Sequence, residues 1–137
     1  NINVSGPASG NEGGSGYALL QDGSFYYFTY ELDQCDGGGE GDCSITGTPE
    51  ATELTALGTV IDFAISSNFD QDSGFAVSSD GKAWSLAETP SELTGFSDVK
   101  KITAGGVLLK TDGSLWQFNP NELSDPASTL VEVVIPR

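Results

Sequence analysis

Histidine and methionine are absent from the 137 residues, lysine and arginine together number 5, and cysteine occurs twice. Without histidine there is no imidazole to serve as a general base near neutral pH, and none to complete a zinc site that two cysteines leave short of ligands. Five basic against 20 acidic side chains give a formal net charge of −15. That charge repels the phosphates that dominate nucleic-acid affinity, and anionic membrane with them. It reads either as a solubilising surface of a secreted or salt-exposed protein or as a surface for cations or basic partners. No apolar run approaches the roughly 20 residues of a membrane-spanning helix. The opening "NINVSGPASG" has neither a basic nor an apolar signal segment, and reads as the start of a mature chain or of an excised segment.

What is present in quantity is glycine, 18 residues, among short apolar runs bounded by turn residues. This pattern predicts an all-β fold, and the length suits a single domain spanning 1–137. Cys35 and Cys43 lie in "DQCDGGGEGDC", where four glycines let the chain fold back on itself. A disulfide between them is expected, contributing on the order of 2–3 kcal/mol in the chain-entropy model and implying an oxidising, extracellular setting.

Sliding the chain over itself reveals three segments that align without a gap: GYALLQDGSFYYF (16–28), GFAVSSDGKAWSL (74–86) and GVLLKTDGSLWQF (106–118). Each has Gly six residues before an Asp-Gly pair, then an aromatic four residues after the Asp, at Tyr26, Trp84 and Trp116. Alternating strands around Asp-Gly are the strongest short-range hairpin signal. A further strand pattern, "TVIDFAI" (59–65) and "DVKKITA" (98–104), precedes the second and third hairpins, and "TLVEVVI" (129–135) follows the third. The last is expected to open a further unit. The first hairpin, with only "INVS" ahead of it, lacks a convincing opening strand, so strand 129–135 of this or a neighbouring molecule is expected beside it. An insertion at 31–56, closed by the disulfide, separates the first two hairpins.

The stretch "DVKKITAGGVLLKTDGSLWQF" (98–118), and less closely "VIDFAISS" with "GFAVSSDGKAW", resembles the repeat of the regulator-of-chromosome-condensation (RCC) family and its bacterial relatives. The resemblance covers about two-thirds of the chain and lacks the family's His-Ser step after the glycines. It implies about three β-propeller-like blades of antiparallel strands; because propellers close with roughly four to eight blades, a β-trefoil or another threefold hairpin arrangement is the alternative. The family's chromatin-binding role does not carry over to so acidic a chain.

Candidate sites follow from residue type and spacing. Asp22, Asp80 and Asp112 are expected to build their turns rather than to act as acids. Tyr26, Trp84 and Trp116 are expected to pack between repeats. In "FYYFTY" (25–30) both strand faces are aromatic, so either both are buried or Phe25 and Tyr27 mark a partner surface. Asn68, Asp70 and Asp72 alternate before Gly74 as calcium ligands do, although Ser73 stands where the turn glycine belongs; a solvated acidic turn is the alternative. Asp36, Glu40 and Asp42 in the cystine loop are offered to a partner or a weakly held cation. There is no G-x-S-x-G elbow and no P-loop, and a loop-borne carboxylate pair is the one remaining route to catalysis. The expectation is therefore a non-catalytic, secreted or cell-surface binding or assembly module without an obligatory cofactor. Its alternatives are a strand-sharing structural subunit and a carbohydrate-binding lectin, with calcium as an optional ion.

Overall fold

Alternating apolar residues on either side of Asp-Gly turns produce strands throughout. The computed structural model describes residues 3–5, 8–9, 13–32, 45–66, 73–86, 89–122 and 124–136. In chain order the strands are Asn3–Ser5 (β1), Ala8–Ser9 (β2), Gly13–Leu19 (β3), Phe25–Leu32 (β4), Ile45–Glu53 (β5), Val60–Ser66 (β6) and Ser73–Ser78 (β7). They continue as Ala83–Ser85 (β8), Ser91–Glu92 (β9), Val99–Ile102 (β10), Val107–Lys110 (β11), Leu115–Gln117 (β12) and Val131–Val133 (β13). Only two short 3-10 turns, Thr55–Leu57 and Pro126–Thr129, accompany them among the described residues. The fold is all-β.

The strands form three antiparallel sheets, each a meander: β1-β3-β4-β5 with β2 on the side of β3, then β6-β7-β8-β9, then β10-β11-β12-β13. Each predicted hairpin supplies the two central strands of one sheet. Three expectations are corrected here. Asn3–Ser5 pairs with Tyr17–Leu19 and opens the first sheet, so no other strand is needed there. Val131–Val133 pairs with Leu115–Gln117 and closes the third sheet as its fourth strand instead of opening a further unit. The insertion is also shorter than 31–56, since Ile45–Glu53 is the outer strand of the first sheet.

Successive side chains point to opposite faces of a strand, and both faces of the middle sheet are buried. Phe75, Val77 and Ala83 meet Leu108 and Phe118 of the third sheet, together with Val99, Ile102, Leu93 and Phe96. On its other face Ala76 and Leu86 meet Tyr17 and Phe25 of the first sheet, with Leu57 and Val60 between. Polar links reinforce the stack. The Gly23 carbonyl accepts from the Val60 N–H at 2.9 Å, and the equivalent Gly81 carbonyl accepts from Val99 N–H at 3.0 Å. The Asp62 carboxylate of the second sheet accepts from Ile102 N–H of the third at 3.0 Å, and the Tyr17 hydroxyl donates to the Leu86 carbonyl at 2.8 Å. The turn glycines have φ near +90° (Gly23 +91°, Gly81 +85°), a conformation that costs other residues about 1–2 kcal/mol.

Removing the Asp62 acceptor strands a backbone N–H in the part-buried seam between two sheets. Asp62→Ala is expected to lower unfolding free energy by about 1–3 kcal/mol in urea titration, and Asp62→Asn, whose amide oxygen still accepts, by less.

Candidate interaction site

The repeated aspartates build their turns. Asp22 Oδ1 accepts from Ser24 N–H at 2.9 Å and Asp112 Oδ1 from Ser114 N–H and Oγ at 2.8 and 2.6 Å, while Asp80 Oδ1 accepts from Ser78 Oγ at 2.5 Å. These bonds hold all three carboxyls below the usual aspartate value of 3.8, with the bond from the Ser24, Ser78 or Ser114 side chain as the largest cause in each case. Lys82 is raised, chiefly by its bond to Glu92, whose carboxylate lies 3.1 Å away. The three turns stand one per sheet, so their charges serve local geometry.

Tyr26, Trp84 and Trp116 are half-buried, and hydrogen bonds orient the two tryptophans. Trp84 Nε1 donates to Ser78 Oγ at 3.1 Å, Trp116 Nε1 donates to Ser114 Oγ at 2.8 Å, and Lys110 lies 4.8 Å over the Trp116 ring. Phe25 is 1% exposed, stacked on Tyr17 at 5.5 Å and edge-on to Phe63 at 5.1 Å. Tyr27 is half-buried at 5.2 Å from Tyr17 in the same seam. The partner surface expected at Phe25 and Tyr27 is corrected: that strand face is turned into the core, and the first sheet presents its opposite face, with Ala18, Tyr26 and Phe28, away from the second sheet. Cys35, Cys43, Asp36, Glu40, Asp42, Asn68, Asp70 and Asp72 lie outside the described residues.

A second gapless repeat, not singled out from sequence, appears once the sheets are superposed in register. TELTALGTV (52–60) matches SELTGFSDV (91–99), carrying the chain from the outer strand of one sheet to the first strand of the next. Glu53 pairs across from Tyr26, Glu92 from Trp84 and Glu132 from Trp116, which places Val133 in the register of Leu54 and Leu93. Its T/S-E-L-T beginning was the available signal, hidden because the first copy begins inside the apparent insertion.

That register isolates the third sheet's outer surface. Leu93 is 3% exposed, whereas its counterpart Val133 is 39% exposed. Around it Val131 (65%), Val134 (83%) and Ile135 (56%) also stand in solvent. Val131 pairs across from Gln117 and Val133 from Leu115, and these continue across the sheet to Val107 and Leu109. The result is a face of valine and leucine side chains with the exposed Gln117 between Val131 and Val107, bordered by a shallow hollow between Gln117, Pro120, Thr129 and Val131. Its outer strand, β13, has one edge without a strand partner among the described residues. Such a surface can hold an apolar protein face or an added strand. No family model matches the chain, and no match is found among curated proteins.

Because the three turn aspartates have depressed pKa values, their contribution to stability is complete above 3.8 and is lost as pH falls through their lower native values. The Asp22→Asn/Asp80→Asn/Asp112→Asn variant, whose amides still accept the turn bonds, is expected to show a shallower acid-side decline in melting temperature than the unmodified chain.

Proposed function

We propose that this chain is a non-catalytic binding and assembly module of a secreted or cell-surface protein, built from RCC-like propeller repeats. The four-stranded meander formed by each repeat supports blades over the hairpin units of a trefoil. Commitment of the repeated aspartates to turns supports a scaffold role. The observation that carries the reading is the exposed apolar strand Val131–Val133, continued by Val134 and Ile135, on a chain of net charge −15. A contiguous apolar surface on so highly charged a molecule marks a contact surface. Its β-strand edge suits a protein partner, whose backbone and apolar side chains meet the same geometry.

Val131→Asp/Val133→Asp tests this reading without removing any buried side chain. Light scattering across a concentration series is expected to show association of the unmodified chain and its loss in the double variant. A monomer at every concentration for both proteins overturns the assembly reading.

A further inference from the structure

A strand at the edge of a sheet presents unpaired N–H and C=O groups, and proteins guard such edges with proline, charge, bulges or short length. In the first sheet the outer strand β5 carries Pro49, which has no N–H to donate, with the exposed Glu50 and Glu53 beyond it, and its register against β4 shifts between Thr29 and Glu31. The outer strand of the second sheet, β9, is only Ser91–Glu92, and Pro90 precedes it. The buried Leu93 follows at once, its carbonyl closing a turn with Phe96 N–H. β13 has none of these devices. It pairs with β12 without a register shift, and from Val131 to Ile135 the chain holds four β-branched aliphatic residues and the exposed Glu132, with no proline before Pro136. Among the described residues no strand lies along its far edge.

The same segment is self-complementary. Antiparallel pairing about a two-fold axis at Val133 sets Val133 against its own copy, Val131 against Ile135 and Glu132 against Val134. Leu109, Leu115 and Val133 already form one row across the third sheet, and this register continues the row through Val133 of a second copy into its Leu115 and Leu109. Neighbouring registers fail on charge, hydrogen bonding or face. Sliding by two residues in one direction sets Glu132 directly against Glu132, two like charges that repel. Sliding in the other direction sets it against Pro136, which donates no bond. A slip of one residue turns the valine face of one copy against the opposite face of the other.

We infer that β13 pairs edge to edge with β13 of a second copy, antiparallel about Val133, joining two third sheets into one sheet with a shared valine and leucine face. Charge placement identifies the occupant: a strand of this very sequence continues the apolar row while keeping the carboxylates off one another. Backbone bonds along the edge supply affinity, and the alternate side chains set the register. Val134 and Ile135, just beyond the last residue of β13, are drawn into the ladder. The contact is isologous and closes with two copies.

This pairing rests on the assembly reading, and exchanging charges across the junction tests it separately. In Glu132→Lys/Val134→Glu the introduced ammonium of each copy faces the introduced carboxylate of the other, whereas in Glu132→Lys/Val134→Lys two ammonium groups face each other. Val134 is 83% exposed and Glu132 is also exposed, so neither variant disturbs the core. The second variant carries less net negative charge, and repulsion between whole chains would make it the tighter associator. The register demands the reverse. Light scattering at about 0.15 M ionic strength, where the screening length of about 8 Å leaves adjacent charges dominant, is expected to show Glu132→Lys/Val134→Glu dimerising about tenfold more tightly. Equal constants, or a tighter Glu132→Lys/Val134→Lys, overturn the strand pairing and leave the assembly reading standing. Cross-linking reads the same register without added charge. Val133→Cys, opposite itself, is expected to form a 133–133 disulfide between copies on mild oxidation, identified by peptide mass, and Val131→Cys, opposite Ile135, is expected to form no 131–131 disulfide. A 131–131 cross-link of equal yield overturns the pairing about Val133. An unmodified chain that is monomeric at every concentration overturns both readings.

Discussion

Each sheet in this molecule has two apolar faces, and burying both is the constraint on which the architecture depends. A half-buried sheet with one polar face is satisfied by a single neighbour. The middle sheet here is apolar on both sides, with Phe75, Val77 and Ala83 on one and Ala76 and Leu86 on the other, all at most 5% exposed. It therefore requires a sheet above and a sheet below. The same requirement applies to the outer sheets, and the third of them leaves Val131 65% and Val133 39% exposed.

Polar groups fix the phase of this stacking. Apolar burial is non-directional, so it alone would let one sheet slide over another. The Gly23 and Gly81 carbonyls, each bonded to the first backbone N–H of the following sheet's opening strand, pin successive sheets at the same offset. A register shift at the start of both strands, between Val60 and Asp62 and between Val99 and Lys101, sets the approach in each case. The Asp turns keep the glycines in place, since their carboxylates gather the local N–H and hydroxyl donors that a tight turn leaves unpaired.

The third sheet's outer face, with Val131 65% and Val133 39% exposed, is the apolar surface on which the proposed contact rests, and the formal net charge of −15 opposes unspecific association.

The hairpins, their threefold occurrence and the all-β class were legible in the residues because an Asp-Gly pair flanked by alternating apolar residues specifies local geometry. The turn role of Asp22, Asp80 and Asp112 was legible for the same reason. Which partner each outer strand takes was not, since Val131–Val133 has the same apolar pattern whether it opens a sheet or closes one, and Asn3–Ser5 is too short and polar to announce itself. Nor was the fate of Phe25 and Tyr27, because "FYYFTY" is aromatic on both faces and periodicity cannot say which one meets a neighbour. Sequence by itself determined the units and their turns, which depend on residues within a dozen positions of one another. Tertiary structure alone decided which faces are covered, because burial is a property of the neighbour that arrives from far along the chain, as Val99 arrives over Val77 from 22 residues away and Val60 over Phe25 from 35.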